Sequence, residues 1–219
     1  VGRKQARGAG KAHCKASRLW RIMCMCREEI FQNVIAVSNR KLCTRPFPEQ
    51  IEIVCRHRPQ SLILREKDLN ESEYGKLGQE VKEICKKYQV TCIYHTFYEE
   101  AKKAGVRNIH LPLWKLEELN EEDGQRDFDL IGASIHSVEE AKKAEKLGAT
   151  YLTAGHIYET GCKPDLPPRG LNFLKEVCQV VDIPVYAIGG IRLEKQQIAE
   201  IQKAGARGAC IMSELMKIS

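Results

Sequence analysis

A single small (β/α)8 TIM barrel is the fold class this sequence predicts, and three observations predict it. Eight short β-type runs alternate with amphipathic helical stretches, the pattern of βα units in a parallel sheet. Three of the helices end on the same punctuation, Ala104-Gly105, Leu147-Gly148 and Ala204-Gly205, each just ahead of the next strand. No apolar run approaches the roughly 18 residues of a membrane span. The 43% hydrophobic and 29% charged residues suit a packed α/β core and exclude disordered and fibrous classes.

In order, the predicted strands are Val34 to Ser38, Ser61 to Arg65, Val90 to Tyr94, Asn108 to Leu111, Leu130 to Ser134, Thr150 to Ala154, Val185 to Ile188 and Gly208 to Met212. Eight is the number that closes such a barrel. Between the fifth and sixth, the stretch from Glu139 to Leu147 puts acids early and bases late with Gly148 at its exit, which suits the helix dipole and a glycine C-cap. The domain from residue 34 to 219 is small for a fold that usually takes about 250 residues. Seven residues follow Met212, so the last helix is expected to be short or missing. An open doubly wound sheet is the alternative; it needs a switch in strand order that periodicity does not set.

The net charge of +6 is not spread along the chain. Residues 1–33 hold eight bases and two acids, and the remaining 27 basic and 27 acidic residues cancel. A neutral body has no electrostatic footprint for nucleic acid. The leader, residues 1–33, begins with Val1 and is expected to be non-native or disordered, a remnant ahead of a natural start near Met23 or Met25. An organellar transit peptide and a basic nucleic-acid arm are the competing readings. A secretory signal is not expected, because the apolar stretch from Leu19 to Met25 is short and broken by Arg21.

Ten cysteines in a chain able to bury a full core read as scattered thiols of a reducing, cytoplasmic protein, not as a disulfide framework. Cys24-Met25-Cys26, even with His13 and Cys14 nearby, lacks zinc-site spacing, and no metal is expected.

In a parallel barrel, chemistry sits where the strands end at their C-termini. Those positions are polar here: Arg65-Glu66-Lys67, His95, Ser134, His136 and the segment from His156 to Lys163. Gly189-Gly190 after the seventh strand and Met212-Ser213 after the eighth match the phosphate site of many barrels, where bare backbone N–H groups approach an anion. The longest loop, Gly155 to Gly170, starts with His156 directly after its strand. An imidazole there can take and return a proton near neutral pH. His110 and His136 read as structural wall residues, and Cys162 lacks a neighbouring group to activate it as a nucleophile.

Several motifs in order resemble the thiamine phosphate synthase superfamily, and within it the TenI-type thiazole tautomerases. They are Leu64-Arg65-Glu66-Lys67, Gly132-Ala133-Ser134-Ile135-His136-Ser137, the run from Gly155 to Lys163, Arg169-Gly170-Leu171, and the run from Ile183 to Ile191. The resemblance covers about Val34 to Met216. It implies a thiamine-biosynthesis isomerase in which His156 moves a proton on a carboxylated dihydrothiazole phosphate. Gly189, Gly190, Met212 and Ser213 would hold the phosphate, and Lys163, Thr160 and Ser134 the carboxylate. Arg65 and Lys67 would also bind substrate. No metal or organic cofactor is implied.

The superfamily's condensing branch joins a pyrimidine diphosphate to a thiazole phosphate and uses two aspartates to hold Mg²⁺. Thr96 and Lys115 stand at those positions, His95-Thr96-Phe97 replaces Asn-Asp-Arg, and Ile63 replaces a glutamine. Thiamine phosphate synthase, a transferase, is therefore the runner-up. A non-catalytic thiazole-phosphate-binding or regulatory protein is the third reading. The expected partner is a small-molecule thiazole phosphate, with no nucleic acid and no membrane. Barrels of the family are often dimeric, so a homodimer is one expected assembly.

Overall fold

The computed structural model describes residues 30–161 and 165–219. Eight parallel strands close a barrel in sequence order, β1 (Val34–Val37), β2 (Ser61–Leu64), β3 (Thr91–His95), β4 (Asn108–Pro112), β5 (Leu130–Ile135), β6 (Tyr151–Gly155), β7 (Val185–Ile188) and β8 (Gly208–Ile211), with β8 pairing back onto β1. Seven helices separate them: α1 (Phe47–Arg56), α2 (Glu71–Tyr88), α3 (Tyr98–Lys103), α4 (Leu113–Glu121), α5 (Val138–Lys146), α6 (Gly170–Val180) and α7 (Lys195–Lys203). Closure leaves no sheet edge, and every strand is covered on both faces, which is why the strands read as apolar runs and not as alternation.

Two apolar layers result. Ile35, Val37, Ile63, Ile93, Tyr151, Tyr186 and Cys210 fill the barrel interior. A larger set, including Leu62, Leu64, Tyr94, Leu111, Leu152 and Leu174, packs between strands and helices. The helix ends follow local chemistry. Asn70 and Glu73 form a reciprocal capping box at the start of α2, and the Ser137 side chain accepts from Glu140 N at the start of α5. Gly148 leaves α5 at φ +85°, the conformation its punctuation predicts.

After β8 the chain forms a single 3-10 turn, Leu215–Lys217, where a full helix would complete the ring. Buried Gln50 of α1 holds this turn, donating from Nε2 to Leu215 O at 2.9 Å and to Ile218 O at 3.0 Å. Residues 30–33, placed in the leader by sequence, pack onto the barrel: Phe31 is fully buried and stacks on His57, and Asn33 O accepts from Ala209 N. The rest of the leader, including the Cys24-Met25-Cys26 cluster, lies outside the described residues. Among the described residues, no helix is long and apolar enough to cross a membrane.

Candidate active site

The C-terminal ends of β2 to β5 form one arc of the barrel mouth. Beyond the end of β2 at Leu64, Arg65 is half-buried, Glu66 is buried and Lys67 is exposed. Glu66 is only 3% exposed, and its carboxylate accepts from Ser38 Oγ at 2.7 Å, from Arg40 N at 3.1 Å and from the Arg40 guanidinium at 3.1 Å. Ser38 Oγ in turn accepts from Arg65 N at 2.8 Å. This buried carboxylate, which sequence reasoning left without a role, anchors the segment that carries the two bases. Its only sequence signal is an acid between two bases at a strand exit.

His95 and His110 stack with ring centroids 5.6 Å apart. His95 Nδ1 lies 2.6 Å from Thr96 Oγ1. His110 Nδ1 meets Tyr151 OH at 2.9 Å, and its Nε2 meets Ser134 Oγ at 2.8 Å and Thr153 Oγ1 at 3.3 Å. Burial, then the neighbouring His110, Arg65 and Lys67, hold His95 well below the ordinary imidazole range. Burial and the Arg65 charge push His110 down to about 3. Both rings are therefore neutral hydrogen-bonding groups at pH 7. Ser134, predicted as a carboxylate ligand, belongs to this network.

Thr96 sits at φ +70°, a left-handed conformation that is strained for a β-branched residue. The ammonium of Lys115 pairs with Glu118 at 2.6 Å and lies over the rings of Tyr98 and Trp114. Neither position carries a carboxylate, and among the described residues no group of three His, Cys, Asp or Glu could hold a metal ion. The donor set does not fit Mg²⁺ held by paired carboxylates.

The exits of β6, β7 and β8 form the opposite arc. His156 is 6% exposed, and its Nε2 lies 3.1 Å from Leu166 O. The chain after His156 runs along the end of β7, with Ile157 N donating to Ile188 O at 2.9 Å and Tyr158 N to Gly189 O at 3.0 Å. Gly189 and Gly190 adopt φ of +100° and +69°. A Cβ on Gly189 would overlap the His156 side chain, and one on Gly190 would overlap the Glu159 carbonyl. These glycines are required for close approach as well as for conformation.

The β7–β8 register ends with Ile188 opposite Cys210, so the Gly189-Gly190 turn and the Met212-Ser213 segment leave the barrel at the same end of neighbouring strands. The two loops are bridged by Glu214, whose carboxylate accepts from Leu193 N at 2.7 Å. Thr160 lines a groove of about 520 Å³ with Glu159, Gly161 and Asp165 to Pro168. A larger groove of about 740 Å³ lies between α2 and α3, lined by Asn70, Gly75, Glu100 and Lys103 among others, and neither groove is lined by His156, Gly189 or Ser213. Lys163 lies outside the described residues. The predicted residues thus fall on two arcs: Arg65, Lys67 and Ser134 on one, and His156, Thr160, Gly189, Gly190, Met212 and Ser213 on the other.

Residues 34–215 match the family model described as thiamine monophosphate synthase. A protein of Aquifex aeolicus that carries the provisional name thiamine-phosphate synthase 2 is 35% identical over 182 residues, covering 83% of this chain and 96% of that one. The thiamine-phosphate synthase of Fusobacterium nucleatum is 31% identical over 189 residues, covering 84% and 88%. Among solved structures, thiamine phosphate pyrophosphorylase from Pyrococcus furiosus superposes with a TM-score of 0.73 at 27% identity, covering 85% of this chain and 88% of that one.

Proposed function

Because the chain belongs to the thiamine monophosphate synthase family, we propose that it acts on a thiazole phosphate, and that its reaction is the tautomerisation that aromatises a carboxylated dihydrothiazole phosphate. The names of the relatives favour the condensing synthase over this isomerase. The observation that carries the isomerase reading is local: Thr96 and Lys115 stand where the condensing branch needs two carboxylates, while the buried His156 directly follows β6 with its Cβ close against Gly189.

The phosphate rests on the N–H groups around Gly189 and Gly190 and on the Met212-Ser213 turn, where missing side chains let an anion approach main chain. Thr160, Lys163 and Ser134 meet the carboxylate, and the charges of Arg65 and Lys67 make the mouth attractive to anions. His156 removes the proton from the ring carbon bearing the carboxylate. The electron pair moves into the ring, and the protonated imidazole returns a proton to the exocyclic carbon. One proton leaves and one arrives, the product is aromatic, and no redox partner is needed. A positioned acid–base group of this kind typically contributes about 10²- to 10⁴-fold.

The second reading, thiamine-phosphate synthase, rests on the relatives' names. Two assays on the same preparation separate the readings. Aromatisation of the dihydrothiazole carboxylate phosphate without Mg²⁺, abolished in His156→Asn, supports the tautomerase. Formation of thiamine phosphate from thiazole phosphate and pyrimidine diphosphate with Mg²⁺ assigns the synthase instead. Binding of the thiazole phosphate with neither reaction assigns a binding protein.

A further inference from the structure

We infer that the returning stem of the sixth loop is a positioning element: the main-chain carbonyl of Leu166 holds His156 as the Nε2–H tautomer and leaves Nδ1 as the atom that accepts the proton. This rests on the tautomerase reading for its catalytic meaning, and on geometry alone for the tautomer.

His156 Nε2 lies 3.1 Å from Leu166 O, within hydrogen-bond distance. A carbonyl oxygen only accepts, so the ring nitrogen facing it must carry hydrogen. A neutral imidazole has one ring proton, so Nδ1 keeps its lone pair. His110 shows the contrast. Both its nitrogens face hydroxyl groups of Tyr151, Ser134 and Thr153, which can donate or accept, so its partners leave the tautomer open.

Three features hold the carbonyl and the ring together. Arg169 N donates to His156 O at 2.9 Å and Gly170 N to Ile157 O at 3.1 Å, tying the stem to the exit of β6. Pro167 and Pro168 follow the carbonyl directly, and each proline restricts φ, so little freedom is lost in presenting Leu166 O inward. On another side, Gly189 approaches so closely that any side chain there would overlap the Cβ and Cα of His156 and shift the base of its side chain. The Leu166 side chain itself is 57% exposed, so the main chain and not the side chain makes the contact. In the reaction, the base is Nδ1, and the Nε2–H bond to a fixed dipole persists while the ring is cationic.

The test uses the full chain labelled with ¹⁵N-histidine, with His156→Asn to assign the signals. Spectra are recorded across a pH series, and for the neutral ring the expected result is a protonated-type shift for Nε2 and an unprotonated-type shift for Nδ1 of His156. Pro167→Gly/Pro168→Gly, which frees the carbonyl without touching the ring, should give averaged shifts for His156. Its kcat should fall of the order of 10- to 100-fold with KM little changed, the signature of lost alignment. A protonated Nδ1 in the unaltered protein overturns the inference. So does a double variant whose shifts and kcat both match the parent. If the unaltered protein shows the expected nitrogen pattern but no turnover, the tautomerase reading falls while the tautomer assignment stands, because the spectrum reads it directly.

Discussion

The two arcs of the barrel mouth both bury imidazoles, and they differ in what surrounds the rings. On the β3–β4 arc, His95 and His110 stack on each other beside Arg65, in a net of hydroxyl groups. On the β6–β7 arc, His156 stands against a backbone carbonyl and a glycine that leaves it room. Burial with nearby cations makes the first pair persistently neutral and suits it to hydrogen bonding. A carbonyl acceptor facing Nε2 leaves Nδ1 of His156 for the proton transfer proposed above. The same residue type therefore meets two kinds of surroundings, and position in the barrel decides which.

The largest expected effect breaks the second arc. His156→Asn should lower turnover of the dihydrothiazole substrate by about 10²- to 10⁴-fold. Affinity for the thiazole phosphate, measured by calorimetry, should stay close to that of the parent, because the turns proposed to hold the phosphate are untouched.

The first arc is tested by pH. The folded chain holds His95 and His110 below the unfolded value of about 6.5, so the unfolded chain binds protons that the folded chain refuses. Their contribution to stability is fully present above about pH 7. It is lost as pH falls through 6.5 towards the folded values, at up to about 1.4 kcal/mol per pH unit for each ring. Urea midpoints should drop between about pH 7 and pH 5, before most carboxylates titrate. His110→Gln should make that drop shallower.

Gly189→Ala probes the contact between the arc's two parts. It places a side chain at φ +100° and against His156, so a loss of about 1–3 kcal/mol in stability is expected together with reduced turnover. Chemical denaturation and kinetics on the same sample check both. The smallest effect sharpens the comparison: Ser134→Ala removes one partner of His110 but leaves Thr153 and Tyr151, and should cost about 1 kcal/mol. Since Ser134 also meets the substrate carboxylate in the proposed reaction, KM should rise in that variant; an unchanged KM confines Ser134 to the histidine net.

Much of this molecule is legible in its residues. All eight strands lie within a residue or two of where their apolar runs predict them, and α5 runs Val138–Lys146 with Gly148 after it. One small shift had consequences: β3 extends to His95, so this ring belongs to the mouth wall and not to the following loop. His156 and the glycine pair stood out because each follows directly on a strand, where the chain is still rigid.

Glu66 was not legible as an anchor, because its partners Ser38 and Arg40 lie 28 and 26 residues away and meet it only when β1 and β2 pair. Nor was Glu214 as a bridge between the last two loops, or Ser134 as a partner of His110. Sequence alone determined the eight βα units, the strand exits and the residue types available there, since hydrophobic periodicity and turn chemistry act over a few residues, whereas closure of β8 onto β1 in place of an open sheet is a tertiary fact. Which nitrogen meets which acceptor, which carboxylate is buried and which histidines stay neutral were decided only when closure brought distant strand ends within hydrogen-bond distance and removed water from between them.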